Sequence, residues 1–359
     1  MNKIFWKNKK VLITGHTGIK GSWLSLWLQN KKSRLIGYSL APPTEPNLFE
    51  LAHIGQGMIS ITGDVRDSDY VRFVIEQHKP EIIFHMAAQA LVRHSYKDPT
   101  ETYSTNIMGT VNVLDAVRHS SDVRVVIVVT SDKCYMNHEW LWGYRESDPI
   151  GGHDPYSSSK ACAELVTLAY RNSYFSKEDY GRHGVALASA RAGNIVAGGD
   201  WAKDRLIPDS VKAFMANRLV KVRNPNALRP WQYVLEPLKG YLCLAEKLWE
   251  HGPDFAEAWN FGPTDEDVKP VSWILEKLTE LWGDGASWEP DTSQHPHEAL
   301  CLKLDCSKAR NLLGWSPKMS LLTALEWTVE WYKNYQRNQD MRHATETDIR
   351  RFENLQNEE

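Results

Sequence analysis

Tyr156 and Lys160 stand four residues apart, the spacing that places two side chains on one face of a helix. A protonated lysine beside a phenol favours the phenolate and lowers the tyrosine's pKa. A tyrosine tuned in this way can take the proton of a hydroxyl while hydride leaves the carbon that bears it. The same spacing also occurs on solvated helix faces, so its meaning depends on its setting. One element of that setting lies upstream. The apolar run Val123–Thr130 ends in Ser131-Asp132-Lys133-Cys134-Tyr135. In open α/β sheets ligands bind beyond the carboxyl ends of the strands, which is where this polar stretch falls.

A third group is Gly15-His16-Thr17-Gly18-Ile19-Lys20-Gly21, between an apolar run and an amphipathic stretch, Ser22–Asn30. Its glycines allow a tight turn and close backbone approach to a pyrophosphate. The helix that follows offers unpaired N–H groups and the positive end of its dipole. His16 and Lys20 either assist the phosphates or face solvent.

These groups need a frame, and the first half of the chain supplies one. Lys10–Thr14, Arg34–Tyr38, Ile59–Thr62, Ile82–Met86 and Val123–Thr130 read as buried strands, with a helical stretch near Thr102–His119. Near-continuous apolar runs separated by helices predict an α/β fold, a Rossmann-type doubly wound parallel sheet with a smaller C-terminal lobe. After about Asn194 the alternation loosens. Trp259–Phe261 reads as a late strand returning to the sheet, Pro230–Trp249 and Val271–Trp282 as helices. The tail from Glu330 onward is mostly polar and reads as an exposed, frayed helix.

Composition narrows the setting. The chain has 359 residues, 42% of them hydrophobic and 24% charged, as in an ordinary folded protein of two lobes. A net charge of −3 gives no global attraction to nucleic acid or to anionic membrane. Cys134, Cys162, Cys243, Cys301 and Cys306 are scattered, odd in number and without a CxxC pair. They predict neither a disulfide framework nor a metal site. No apolar run approaches the roughly 18 residues of a membrane span, and the N-terminus has no leader pattern. The expectation is a reduced, cytoplasmic setting.

The GxxGxxG turn, the YxxxK pair and their order resemble the extended short-chain dehydrogenase/reductases. Within that superfamily, Thr130-Ser131-Asp132-Lys133-Cys134-Tyr135 closely resembles the CDP-glucose 4,6-dehydratases. The likeness covers nearly the whole chain, including Trp142-Gly143-Tyr144-Arg145-Glu146, Gly151-Gly152-His153-Asp154-Pro155-Tyr156, Arg229-Pro230-Trp231-Gln232-Tyr233-Val234 and Leu304-Asp305-Cys306-Ser307-Lys308-Ala309. Ile19 stands where that family usually has Phe. The superfamily's acid at the end of strand two is absent; Ser39 stands there, so this position leaves NAD and NADP open.

The resemblance implies NAD as cofactor, held by Gly15, His16, Thr17, Gly18, Ile19, Lys20, Ser39, Asp64, Val65, Ala87, Ala88, Gln89 and Asn106 together with Tyr156 and Lys160. It implies CDP-glucose as substrate and CDP-4-keto-6-deoxyglucose as product, for deoxysugar and O-antigen synthesis. Ser131 would bond the hydroxyl that Tyr156 deprotonates, Asp132 would be the acid and Lys133 the base of a water elimination. The acid must then be kept protonated by burial, and the base kept neutral by burial or nearby positive charge; the alternative is a salt-bridged strand end. Arg205 and Arg229 are the phosphate clamps to expect, because guanidinium meets phosphate bidentately; Arg93, Asn194, Tyr233 and His297 complete the substrate set. Trp201 and Trp231 either stack on the base or pack in the core. Residues 1–198, with returning segments near 229–262, would form the NAD-binding domain, 199–228 and 263–330 the nucleotide-sugar lobe, and 331–359 a polar tail. The helices carrying Asn106 and Tyr156 would build a homodimer or homotetramer. Other readings are a dehydratase for a different nucleotide, a 4-epimerase, and a non-catalytic dinucleotide-binding regulator.

Overall fold

The computed structural model describes residues 4–293 and 299–355. The elements that position the site are, in chain order, β1 (Lys10–Thr14), α1 (Ile19–Asn30), β2 (Arg34–Ser39), β3 (Ile59–Thr62), α2 (Ser68–His78), β4 (Ile82–His85), α3 (Gly109–Arg118), β5 (Val125–Val129), α4 (Pro155–Ser173), β6 (Ala186–Ala192), α5 (Leu206–Met215), α6 (Leu235–His251), β7 (Ala258–Phe261), α7 (Val271–Trp282), α8 (Leu321–Gln336) and α9 (Met341–Leu355). The strands form one sheet in the order β7-β6-β5-β4-β1-β2-β3. Every pairing in it is parallel. The late strand returns as expected: Trp259 is level with Ala190 on β6.

The apolar runs become strands because both faces are covered. Val11, Ile13, Ile82, Phe84, Val125 and Ile127 join one buried layer; Leu12, Ile83, Val126 and Val128 join the other. Alternating side chains of the same strands thus serve opposite layers, and no polar face remains. The strand order reverses between β1 and β4, where Thr14 is level with His85. That switch point opens a crevice at the carboxyl ends of the strands.

Two expectations fail here for one reason. α1 is not amphipathic: Gly21, Ser22, Trp23, Leu24, Ser25, Leu26, Trp27 and Leu28 are all buried. The polar tail is not exposed: it supplies the end of α8 and all of α9. Trp331, Tyr332, Ile349 and Phe352 are buried, and α9 packs on the outer side of α1. Trp27 Nε1 donates to Glu353 Oε1 at 2.7 Å, Lys31 pairs with the same carboxylate, and Arg342 reaches Gln29 at 3.1 Å. A polar sequence stretch with a narrow apolar stripe has docked on a helix whose second apolar face needed cover. No helix among the described residues is long and apolar enough to cross a membrane.

Phe352 is fully buried and meets Trp27 edge to face at 5.8 Å. Phe352→Ala is expected to cost roughly 3–5 kcal/mol, read as a lower urea midpoint at unchanged slope.

Candidate active site

The glycine turn joins β1 to α1 in a conformation that side chains would block. Gly15 adopts φ +75°, and a Cβ there would lie 2.8 Å from the backbone nitrogen of Ala87. A Cβ on Gly21 would lie 2.2 Å from the Gly15 carbonyl oxygen. Gly18 caps α1 without a side chain, so the first-turn N–H groups stay directed at the crevice. Opposite them, Thr14 Oγ1 accepts from the backbone N–H groups of Met86 and Ala87 at 3.0 and 3.1 Å and bonds His85 Nδ1 at 2.8 Å. Burial lowers the pKa of His85 to about 3, so it is a neutral spacer between Thr14 and Thr110.

Several residues expected at the cofactor turn out to shape the loops around it. His16 is buried, with Nε2 on Ser60 Oγ at 2.7 Å; burial lowers its pKa to about 4. Its ring occupies the space left by the missing side chain of Gly37, so it does not face solvent. Asn106 is buried and fully engaged: it accepts from Gln89 N–H and donates to Gln89 carbonyl and Ser159 Oγ. It fixes the Ala87-Ala88-Gln89 segment rather than facing a ligand. Thr17 Oγ1 bonds Ser39 Oγ at 2.8 Å and the Leu40 carbonyl at 3.0 Å, tying the end of β2 to the turn. Asp64 holds Arg66 through Nε at 2.9 Å, and its pKa is lowered chiefly by that hydrogen bond. Val65 is buried where a side chain on Gly109 would collide with it.

The chemical groups converge at the ends of β5 and α4. Asp154 caps α4 through Ser157 N–H, which sets Tyr156 in the first turn. Lys160, one turn on, donates to the Val129 carbonyl at 3.3 Å, the last residue of β5. Ser131 donates to Asp132 Oδ1 at 2.8 Å and accepts from Lys133 N–H at 3.2 Å. Asp132 is 1% exposed and its Oδ2 has no hydrogen-bond partner. Burial raises its pKa against the opposing pull of Lys133, Ser131, Arg229 and Lys20. Lys133 is half-buried.

Burial also governs the pair read first in the sequence. Tyr156 is pushed up to about 12 by burial, with Ser131 and Arg205 opposing. Lys160 is pushed down to about 8 by burial and by Lys20. The expected lowering of Tyr156 does not prevail, because desolvation outweighs Ser131 and Arg205, the groups that lower it. Lys20 comes down to about 8 through burial and Arg205; it is half-buried and electrostatically coupled to Asp132.

On the substrate side Arg205 pairs with Asp200 at 2.9 Å, and its charge is felt at Tyr156. Arg229 is buried and its charge is felt at Asp132. Arg93 pairs with Asp204 at 3.3 Å. Asn194 is half-buried, its carbonyl holding Gln232 N–H. Tyr233 is misassigned by the sequence: it is 1% exposed, donates to Asp348 at 3.0 Å and packs against Trp23 and Trp327. His297 lies outside the described residues. Trp201 and Trp231 are both buried. Sequence reasoning missed Glu164 and Arg191, which lie beneath the site; the spacing of Glu164, four residues past Lys160, was the available signal.

A parallel sheet of this order, a glycine turn on its first strand and a Ser-Tyr-Lys cluster at the strand ends define an extended short-chain dehydrogenase/reductase. Known proteins narrow this further. The GDP-mannose 4,6 dehydratase family model matches residues 12–249, and the chain belongs to that family. The CDP-glucose 4,6-dehydratase of Salmonella typhimurium is 55% identical over 95% of each chain. The human dTDP-D-glucose 4,6-dehydratase is 25% identical over 90% of each. Among solved structures, the Bacillus anthracis dTDP-glucose 4,6-dehydratase in complex with NAD aligns with TM-score 0.75 and 22% identity, over 92% of this chain and 98% of that one. The Thermotoga maritima UDP-glucose 4-epimerase aligns with TM-score 0.77 and 20% identity, over 91% and 99%. Both share the fold.

The burial of Tyr156 has a measurable outcome. Between about pH 7 and pH 10 the ligand-free protein and its Tyr156→Phe variant should gain phenolate absorbance in parallel. An excess of one phenolate in the wild type within that window would contradict the assignment.

Proposed function

We propose that this chain converts CDP-D-glucose to CDP-4-keto-6-deoxy-D-glucose and water. The observation that carries this reading is Asp132, a buried carboxyl whose pKa burial raises, on the strand end that also carries Ser131. Hydroxyl oxidation alone has no need of such an acid; elimination of water does. The 55% identity to the Salmonella enzyme over 95% of the chain supports the same choice.

The residues present fit NAD. Gly15, Gly18 and Gly21 leave room where side chains would collide, and the α1 N-terminus supplies N–H groups for a pyrophosphate. NAD bound there would supply a hydride acceptor for C4 of the glucose and a hydride donor for C6. The side chains do the rest. Tyr156 takes the C4 hydroxyl proton, and Ser131 holds the same oxygen. Arg205 brings positive charge to the buried phenol and favours its ionised form, and Lys160 lies one turn further along the same helix. The C4 ketone acidifies the C5 proton, which Lys133 removes. Asp132 protonates the C6 hydroxyl, which departs as water, and a proton then returns to C5. Arg205, Arg229 and Arg93 are the cations available to the substrate pyrophosphate, with residues 199–228 and 263–330 closing over the sugar and base. We place the reaction in the cytoplasm, where its five unpaired cysteines suit a reducing medium, and assign its product to deoxysugar and O-antigen synthesis. Met108, Leu165 and Leu168 are exposed beside the α3–α4 pair and suit a homodimer or homotetramer seam.

Incubation with CDP-, dTDP-, UDP- and GDP-glucose plus NAD, followed by mass analysis, tests the reading. Water should be lost from the CDP-sugar; loss from none of them would sink it. Lys133→Met should lower dehydration by about 100- to 10,000-fold while the near-ultraviolet absorbance of reduced nicotinamide still appears. Full product from that variant removes Lys133 from the base role.

A further inference from the structure

The chemical groups sit on two separate pieces of chain. Ser131, Asp132 and Lys133 leave the end of β5, whereas Tyr156 and Lys160 ride the first turns of α4. One buried ion pair touches both. Glu164 continues the Tyr156–Lys160 face of α4 by one more turn. Its Oε1 accepts from Thr130 Oγ1; its Oε2 accepts from Ser189 Oγ at 2.7 Å and Arg191 Nη2 at 2.8 Å. The side chains of Glu164 and Arg191 are 3% and 5% exposed. Arg191 Nη1 donates to Tyr135 Oη at 2.8 Å, and Tyr135 donates onward to Asn260 Oδ1 at 2.7 Å. Thr130 and Tyr135 bracket the stretch 131–134, so both ends of the catalytic strand exit are fastened to the pair.

We propose that the Glu164–Arg191 pair is a positioning device for the reaction assigned above, on which this inference rests: it sets Ser131, Asp132 and Lys133 in register with Tyr156 and Lys160. Stability alone does not account for the pair, because apolar residues of equal volume generally do as well or better than a buried ion pair. Direction does account for it. A carboxylate accepting from three donors fixes distances and angles that apolar contact leaves free. Burial works against the Glu164 charge, but Arg191, Thr130 and Ser189 outweigh it and hold the carboxyl below its usual range. The same carboxylate, with Cys134, opposes the lowering of Lys160 by burial and by Lys20. Glu146, Arg171, Glu257 and Lys308 are the other charged groups lining the cavity beside the pair.

The test compares NAD-loaded wild type with Glu164→Gln, with the double variant Glu164→Leu/Arg191→Met, and with Thr130→Val. For the variants, kcat for dehydration of CDP-glucose should fall about 100-fold, or about tenfold for Thr130→Val, with KM changed less than about threefold. Without the Glu164 charge, Lys160 loses its proton at lower pH, so the alkaline limb of the kcat profile should move to lower pH in both Glu164 variants. A purely structural role would not move it. Folded pair variants with wild-type kcat and an unmoved limb overturn the proposal. Should the pair variants fail to fold, Thr130→Val decides, since it removes one strut and no charge: an unchanged kcat overturns the proposal. A wild type that releases no water from CDP-glucose overturns the dehydratase reading instead.

Discussion

Removal of water from the carboxyl end of β5 is the constraint from which the site's properties follow. Asp132, Tyr156 and Lys160 are each taken out of solvent, and each responds by favouring its neutral form. For a carboxylic acid that must donate a proton this is the useful direction. For a tyrosine that must accept one it is the wrong direction, and positive charge from elsewhere has to offset it. Arg205, in the loop before α5, is the cation that lowers Tyr156, while Lys20 from the glycine turn, Lys133 and Arg229 act on Asp132. The catalytic centre is therefore an electrostatic compromise assembled from remote parts of the chain, and the sheet exists to hold those parts at one edge.

What could be read from the sequence follows from how local each signal is. The strands were legible because a parallel strand covered on both faces is an uninterrupted β-branched run, as in Val125–Val129. The proposed site stood out as motifs because Tyr156 and Lys160 are four residues apart on one helix and Ser131 to Lys133 are consecutive. Residues defined by non-local partners were not. Tyr233 lies within a stretch that resembles a binding motif, but its ring is claimed by Trp23, Trp327 and Asp348, from three distant parts of the chain. Asn106 was expected to hold the cofactor, and only the folded chain shows that it clamps the Gln89 backbone. Arg191 sits inside an otherwise small and apolar strand, where nothing local tells a ligand-binding cation from half of a buried pair.

The failed reading of α1 and the tail has the same origin. Periodicity reports which face of a helix is apolar; it does not report how many neighbours cover it. α1 carries Trp23 toward the sheet and toward Gly198, and Trp27 toward α9. A helix apolar on two sides needs two neighbours, and the second lies at the far end of the chain. That the stripe on α9 is narrow, within a polar sequence, is what made it look like solvent-facing tail.

The Trp27–Glu353 hydrogen bond spans 326 residues of sequence. α1 leaves the ribosome long before α9, so its outer face waits for a partner made much later. During that interval a strip of tryptophan and leucine beside the cofactor turn has no permanent neighbour, so the nascent chain presents an adhesive surface for most of its synthesis. A chain that stopped before α9 would carry Ser131, Asp132, Lys133, Tyr156 and Lys160 and still lack the cover of the helix that opens from the glycine turn.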